Sequence, residues 1–122
     1  MSRDLLTVDA ALPLAEVAGR MVERSVGAVL VLDGERLAGI LTERDVLRAV
    51  ARGIDDEAVV RDWMTTEPET IGPDETTEHA ATLMMHGGFR HLPVTEGEAV
   101  VGILSIRDLM ALALADSAPR GV

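Results

Sequence analysis

Gly39-Ile40-Leu41-Thr42-Glu43-Arg44-Asp45 returns later in the chain as Gly102-Ile103-Leu104-Ser105-Ile106-Arg107-Asp108, with only the fourth and fifth residues changed. The copies stand 63 residues apart, and this offset holds without a gap from Val8 against Ile71 to Ala49 against Leu112. Ten of those 42 paired positions are identical, and five of the ten fall inside the seven-residue phrase, so function is expected there. A period of 63 residues exceeds the roughly 20 to 50 of solenoid repeats and points to a duplicated unit with internal pseudo-symmetry. At 122 residues the chain has length for one compact domain, so the two halves are expected to share a core or to face each other across a cleft.

Working outward from the phrase, each Gly-Ile-Leu strand is preceded by a turn and another apolar run. Ala28 to Leu32, Asp33-Gly34 and Leu37 to Leu41 read as a β-hairpin, as do Leu92 to Thr95, Glu96-Gly97 and Val100 to Leu104. Before each hairpin lies a helical pattern. Leu14, Val17, Ala18, Met21 and Val22 follow the spacing of one apolar face, and Ala80, Ala81, Met84 and Met85 fall at matching places, with the methionine pair expected in the core. Gly87-Gly88 supplies a left-handed stop.

A second helix follows each phrase, carrying Val46, Leu47 and Val50 or Leu109, Met110 and Ala113. With short strands at Val8 and Ile71, the reading is an α/β (α+β) chain of two tandem β-α-β-β-α repeats with pseudo-twofold symmetry. The first repeat spans 1–53 with a shortened lead-in, a connecting segment 54–64, and the second repeat 65–122, together making one module. Leu109 to Ala115 is apolar on every face, which suggests a homodimer contact through Leu109, Met110, Leu112 and Leu114, or else an alanine-rich helix fraying at its end.

Composition narrows the function classes. The chain has no cysteine, hence no disulfide frame, thiolate metal site or thiol nucleophile. All eleven basic residues are arginine, which removes Schiff-base and P-loop lysines but leaves planar forks suited to phosphate. A net charge of −10 with one Trp and one Phe argues against nucleic-acid binding. No apolar run approaches a membrane span and the start Met-Ser-Arg-Asp-Leu-Leu has no signal-peptide core, so a cytoplasmic location is expected. Neither G-x-G-x-x-G nor G-x-S-x-G occurs, and no catalysis is expected.

With the order β-α-β-β-α, a G-I-L-[ST]-x-x-D phrase in each copy, and Arg90-His91-Leu92-Pro93-Val94 leading the second hairpin, the chain resembles a cystathionine-β-synthase-type (CBS) domain pair. The resemblance covers nearly the whole chain. It implies a regulatory, energy-sensing module that takes an adenosine-containing ligand in the cleft between the repeats, commonly dimerises, and signals to a partner protein. AMP, ADP or ATP is the implied ligand, ahead of S-adenosylmethionine or NADH, and no metal is implied.

Carried over by residue, the resemblance places the ribose acceptors at Asp45 and Asp108 and the phosphate-donating hydroxyls at Thr42 and Ser105. Arg44 and Arg107 extend from the same turns. Arg90 stands where some family members carry a phosphate-binding arginine, and adenine would lie near Thr70, Ile71, His91 and Pro93. The matching first-repeat set is Gly27, Ala28, Thr42, Arg44 and Asp45.

The second site is preferred. The first lead-in, Arg3 to Thr7, matches Arg61 to Thr65 at an offset of 58, so the first copy lacks a counterpart of Thr66 to Thr70. Gly27 replaces Arg90, and Glu43 replaces Ile106. The bare residues leave one alternative open, because Ser/Thr-x-x-Asp at a strand-to-helix turn is also a helix cap that needs no ligand. A ligand-free dimerisation scaffold is therefore the alternative function.

Other clusters read as structural. His79, His86 and His91 are spaced seven and five apart and do not share a helical face, His86 suiting a helix C-terminus. Asp55-Asp56-Glu57 and Glu67-Pro68-Glu69 read as solvated loop. Trp63 and Met64 read as part of a short amphipathic helix packing between the repeats.

Overall fold

The computed structural model describes residues 5–117, with side chains through residue 114. Met1, Ser2, Arg3 and Asp4, including part of the first lead-in, lie outside the described residues, as does the side chain of Ala115. Within them the chain is mixed α+β, with four α-helices and two sheets. It divides into two compact units, one running through Pro68 and including Gly97–Ala99, the other made of Glu69–Glu96 and the residues from Val100 onward.

The first unit holds β1 (Thr7–Asp9), α1 (Leu14–Arg24), β2 (Ala28–Asp33), β3 (Arg36–Thr42), α2 (Glu43–Ala51) and β4 (Thr65–Thr66), with a 3-10 turn at Val60–Asp62. Its sheet runs in the order β1-β2-β3-β4, with β1 parallel to β2 and the other pairs antiparallel. Residues Ala28 to Val31 of β2 are all buried, as suits a central strand covered on both faces. Val8, Leu14, Val17, Met21, Val29, Val31, Leu41, Ala49 and Val60 form its core. Trp63 and Met64 pack against this core, and the helical turn expected around them is the short 3-10 turn that ends at Asp62.

β4 closes the edge of this sheet, pairing Thr65 with Ile40 and Thr66 with Gly39. The approach explains the glycine of the phrase: a β-carbon on Gly39 would stand 2.6 Å from the Thr65 carbonyl oxygen and 2.8 Å from Met64 Sδ.

The second unit repeats the plan with α3 (Thr77–Gly87), β5 (His91–Glu96), β6 (Ala99–Ser105) and α4 (Ile106–Ser117). The 63-residue offset survives at the level of hydrogen bonds. Val8 pairs with Val31 in parallel, and Ile71 pairs with Val94 in parallel, although at Ile71 the expected strand shrinks to an isolated bridge. The Glu43 amide donates to the Gly27 carbonyl at 3.0 Å, and the Ile106 amide to the Arg90 carbonyl at 2.8 Å. Hairpin glycines Gly34 and Gly97 share φ 63°, the left-handed conformation that a side chain opposes. Ile71, Ala80, Met84, Leu92 and Val94 form the second core.

Three expectations about helix faces are corrected. Met84 is buried but Met85 is 78% exposed, and its first-repeat counterpart Val22 is 79% exposed. Successive helical residues point about 100° apart, so only one of two neighbours can face a narrow core. On α2 the buried positions are Asp45 and Ala49, with Val46 half-buried, while Leu47 and Val50 are exposed. Leu47 and Val50, named with Val46 as the apolar residues of this helix, turn outward because Asp45 and Ala49 take the inward stripe.

Candidate functional site

Both copies of the phrase fold into a β-strand that ends at Thr42 or Ser105 and passes at once into a helix. In the first, Thr42 has extended backbone and is the N-cap of α2. Its hydroxyl accepts from the Asp45 amide at 3.4 Å, and its own amide donates to Asp45 Oδ2 at 2.9 Å. In the second, Ser105 Oγ accepts from the Asp108 amide at 3.2 Å, and the Ser105 amide donates to Asp108 Oδ2 at 2.8 Å. Each Ser/Thr-x-x-Asp is thus a reciprocal capping box, satisfying two backbone donors that helix formation would otherwise strand. The capping alternative is met in both copies.

Capping leaves one carboxylate oxygen of each aspartate to account for, and here the copies part. Asp45 is only 2% exposed, and both its oxygens are used. Oδ2 also accepts from the Thr42 hydroxyl at 3.1 Å, while Oδ1 accepts from Arg48 Nη2. Asp108 is half-buried, and its Oδ1 has no hydrogen-bond partner among the described residues. The position matching Arg48 is Ala111, which cannot reach it.

Around these turns the charges differ as well. The Glu43 carboxylate lies 3.5 Å from where a β-carbon of Gly27 would stand, so the first turn carries an anion over its entrance strand. In the second, half-buried Ile106 replaces Glu43 and exposed Arg90 replaces Gly27, with exposed Arg107 one residue before Asp108. Arg107 in the first turn of this twelve-residue helix, and Arg90, whose carbonyl accepts from the Ile106 amide at 2.8 Å, put two positive charges on residues at the helix start in a chain of net charge −10.

The remaining expected residues fall as follows. Ile71 and Pro93 are buried and joined by the Ile71 amide donating to the Pro93 carbonyl at 3.0 Å; His91 is half-buried at the start of β5 and Thr70 is exposed. All eight second-repeat candidates belong to one compact unit, and Gly27, Ala28, Thr42, Arg44 and Asp45 belong to the other. Arg48 was the residue that the repeated phrase did not reveal. Its signal was available as an Asp-x-x-Arg spacing on α2, visible only when the comparison of copies runs past the phrase to Ala111. His86 sits in the last turn of α3, and among the described residues no group of three or more His, Asp or Glu side chains could hold a metal. No helix among them is long and apolar enough to cross a membrane.

Comparison with known proteins agrees with this architecture. A 17.7 kDa protein of Acidianus ambivalens is 39% identical over 105 residues, which cover 84% of this chain and 63% of that protein, so the chain spans less than two thirds of that relative's length. Among solved structures, a protein with CBS domains from Burkholderia ambifaria MC40-6 superposes with a TM-score of 0.89 at 34% identity, covering 98% of this chain and 90% of that one. A CBS domain protein from Pyrobaculum aerophilum complexed with AMP superposes with a TM-score of 0.83 at 27% identity, covering 96% and 95%. The family model for the CBS domain matches twice, over residues 1–52 and 60–115. The repeated unit is a CBS domain, and the chain belongs to the CBS domain family.

Proposed function

We propose that this chain is a regulatory module that binds an adenosine nucleotide, AMP, ADP or ATP, at the second-repeat turn. The observation that carries the reading is the open Oδ1 of Asp108, a charged acceptor left over after its helix cap is made. A carboxylate oxygen of this kind suits a ribose diol, since hydrogen bonds to an ionised acceptor are stronger than neutral ones. Arg90 and Arg107 supply donors for phosphate, and the start of α4 adds its positive end. The Pyrobaculum relative, of the same fold, is complexed with AMP.

A homodimer is part of the reading. On α4, Leu109 packs against the second core while Met110, Leu112 and Leu114 are exposed, a pattern that a second copy would cover. Nucleotide occupancy would then bias a partner protein through the paired subunits. S-adenosylmethionine and NADH are the less favoured ligands of the same adenosine class.

A thermal-shift panel of AMP, ADP, ATP, S-adenosylmethionine and NADH on nucleotide-stripped protein tests the reading, because a ligand that binds only the folded state stabilises it by RT ln(1 + [L]/Kd). A rise with the mononucleotides that disappears in Asp108→Ala supports it. Flat responses across the panel would favour the ligand-free dimerisation scaffold instead.

A further inference from the structure

The same capped turn stands in opposite states in the two repeats, and the difference comes from a side chain outside the repeated phrase. Arg48 lies three residues on from Asp45 and donates to its Oδ1, while Thr42 supplies both donors to Oδ2. An ordinary pair at this spacing on a helix surface joins two solvated groups and contributes little. Asp45 is different, because at 2% exposure its carboxylate has lost water and depends on protein donors. Arg48 is the exposed half of the pair, at 58%, and so stands over the buried acid on its solvent side.

We infer that Arg48 is an internal ligand of the first-repeat turn: its guanidinium holds the acceptor that a ribose diol would need, and so limits the chain to one nucleotide, bound at the second turn. A diol arriving at Asp45 must displace a charge-assisted bond whose donor is tethered one helical turn away, at an effective concentration on the order of millimolar or above. A phosphate arriving there meets the Glu43 carboxylate over Gly27, where the second turn has Arg90, while the arginine before the aspartate, Arg44 or Arg107, is common to both turns. At the second turn neither obstacle is built: Ala111 is exposed, and Ile106 and Arg90 replace the acid and the glycine. Arg48 is therefore a specificity-determining residue that acts by competing with the ligand's ribose. This inference rests on the nucleotide reading of the second turn.

The test is calorimetric titration of AMP into the nucleotide-stripped full chain and three variants. The unsubstituted chain is expected to bind one AMP per chain. Transplanting the closure with Ala111→Arg, at an exposed site, should weaken binding by about tenfold or more, whereas Ala111→Gln, polar but shorter and uncharged, should stay within about twofold. The double variant Arg48→Ala/Glu43→Ile should gain a second equivalent of AMP, with circular dichroism confirming that it folds. Two equivalents on the unsubstituted chain, or unweakened binding by Ala111→Arg, would overturn the closure while leaving the nucleotide reading intact. No AMP binding to the unsubstituted chain would overturn both.

Discussion

Replacing each repeated aspartate by alanine in turn should cost the protein unequal amounts, and the difference can be worked from the hydrogen bonds. Asp108→Ala removes one bond, the Ser105 amide at 2.8 Å, from a half-buried group, so the loss is that of half a capping box, about 1 kcal/mol. Asp45→Ala removes the Thr42 amide bond at 2.9 Å and the Thr42 hydroxyl bond at 3.1 Å, and it strands those donors beside a cavity. To a cap of about 1 kcal/mol this adds about 1 to 2 kcal/mol for a second bond to a charged, buried acceptor. The Arg48 pair adds at most about 1 kcal/mol, because the arginine is 58% exposed and screened by solvent. The sum is about 3 kcal/mol. Unfolding entropy of roughly 2.1 cal/mol/K per residue over 122 residues makes each kcal/mol worth about 4 °C, so Asp45→Ala should melt about 12 °C below the unsubstituted protein and Asp108→Ala about 4 °C. Thermal melts by circular dichroism without nucleotide read this directly. Repeating them with AMP at a hundredfold excess over Kd should add about 2.7 kcal/mol to the unsubstituted chain and to Asp45→Ala, and nothing to Asp108→Ala. Equal losses for the two variants, or an AMP shift retained by Asp108→Ala, would refute the reasoning.

Further outcomes follow from packing and assembly. Gly39→Ala places a β-carbon 2.6 Å from the Thr65 carbonyl oxygen, so β4 must move, and urea denaturation should show a loss of about 1 to 3 kcal/mol. Leu92→Ala opens a fully buried site in the second core and should cost about 2 to 5 kcal/mol by the same assay, whereas Val22→Ala, at 79% exposure, should stay within about 0.5 kcal/mol. Met110→Glu places a charge on the exposed face of α4; if the proposed dimer forms there, sedimentation should show monomer in its place and the melting temperature should fall and lose its dependence on protein concentration, and a dimer unaltered by the variant would remove that face from the interface.

The repeated phrase made most of the fold legible because duplication supplies its own control. One offset placed the helices, hairpins and left-handed turn glycines of both units, down to matching bonds at Gly27–Glu43 and Arg90–Ile106. What stayed hidden was long-range. That Thr65 and Thr66 extend the first repeat's sheet, and so demand a glycine at position 39, depends on a pairing no local pattern announces. Helix faces were misjudged at Val22, Leu47, Val50 and Met85, where hydrophobicity alone does not say which neighbour turns inward. The site was half legible: Ser/Thr-x-x-Asp read equally well as a cap or a ligand turn, and the structure shows that capping consumes one carboxylate oxygen while the fate of the other depends on a residue three positions on.

Amide chemical-shift mapping of the nucleotide-stripped chain during titration with AMP tests the central claim most directly, since it reports which turn the ligand touches. The account predicts that the amides of Ile106, Arg107 and Asp108 move and saturate together, with Glu43, Arg44 and Asp45 unmoved. Saturating shifts at the first turn, with or without shifts at the second, or no shifts at either, would contradict it.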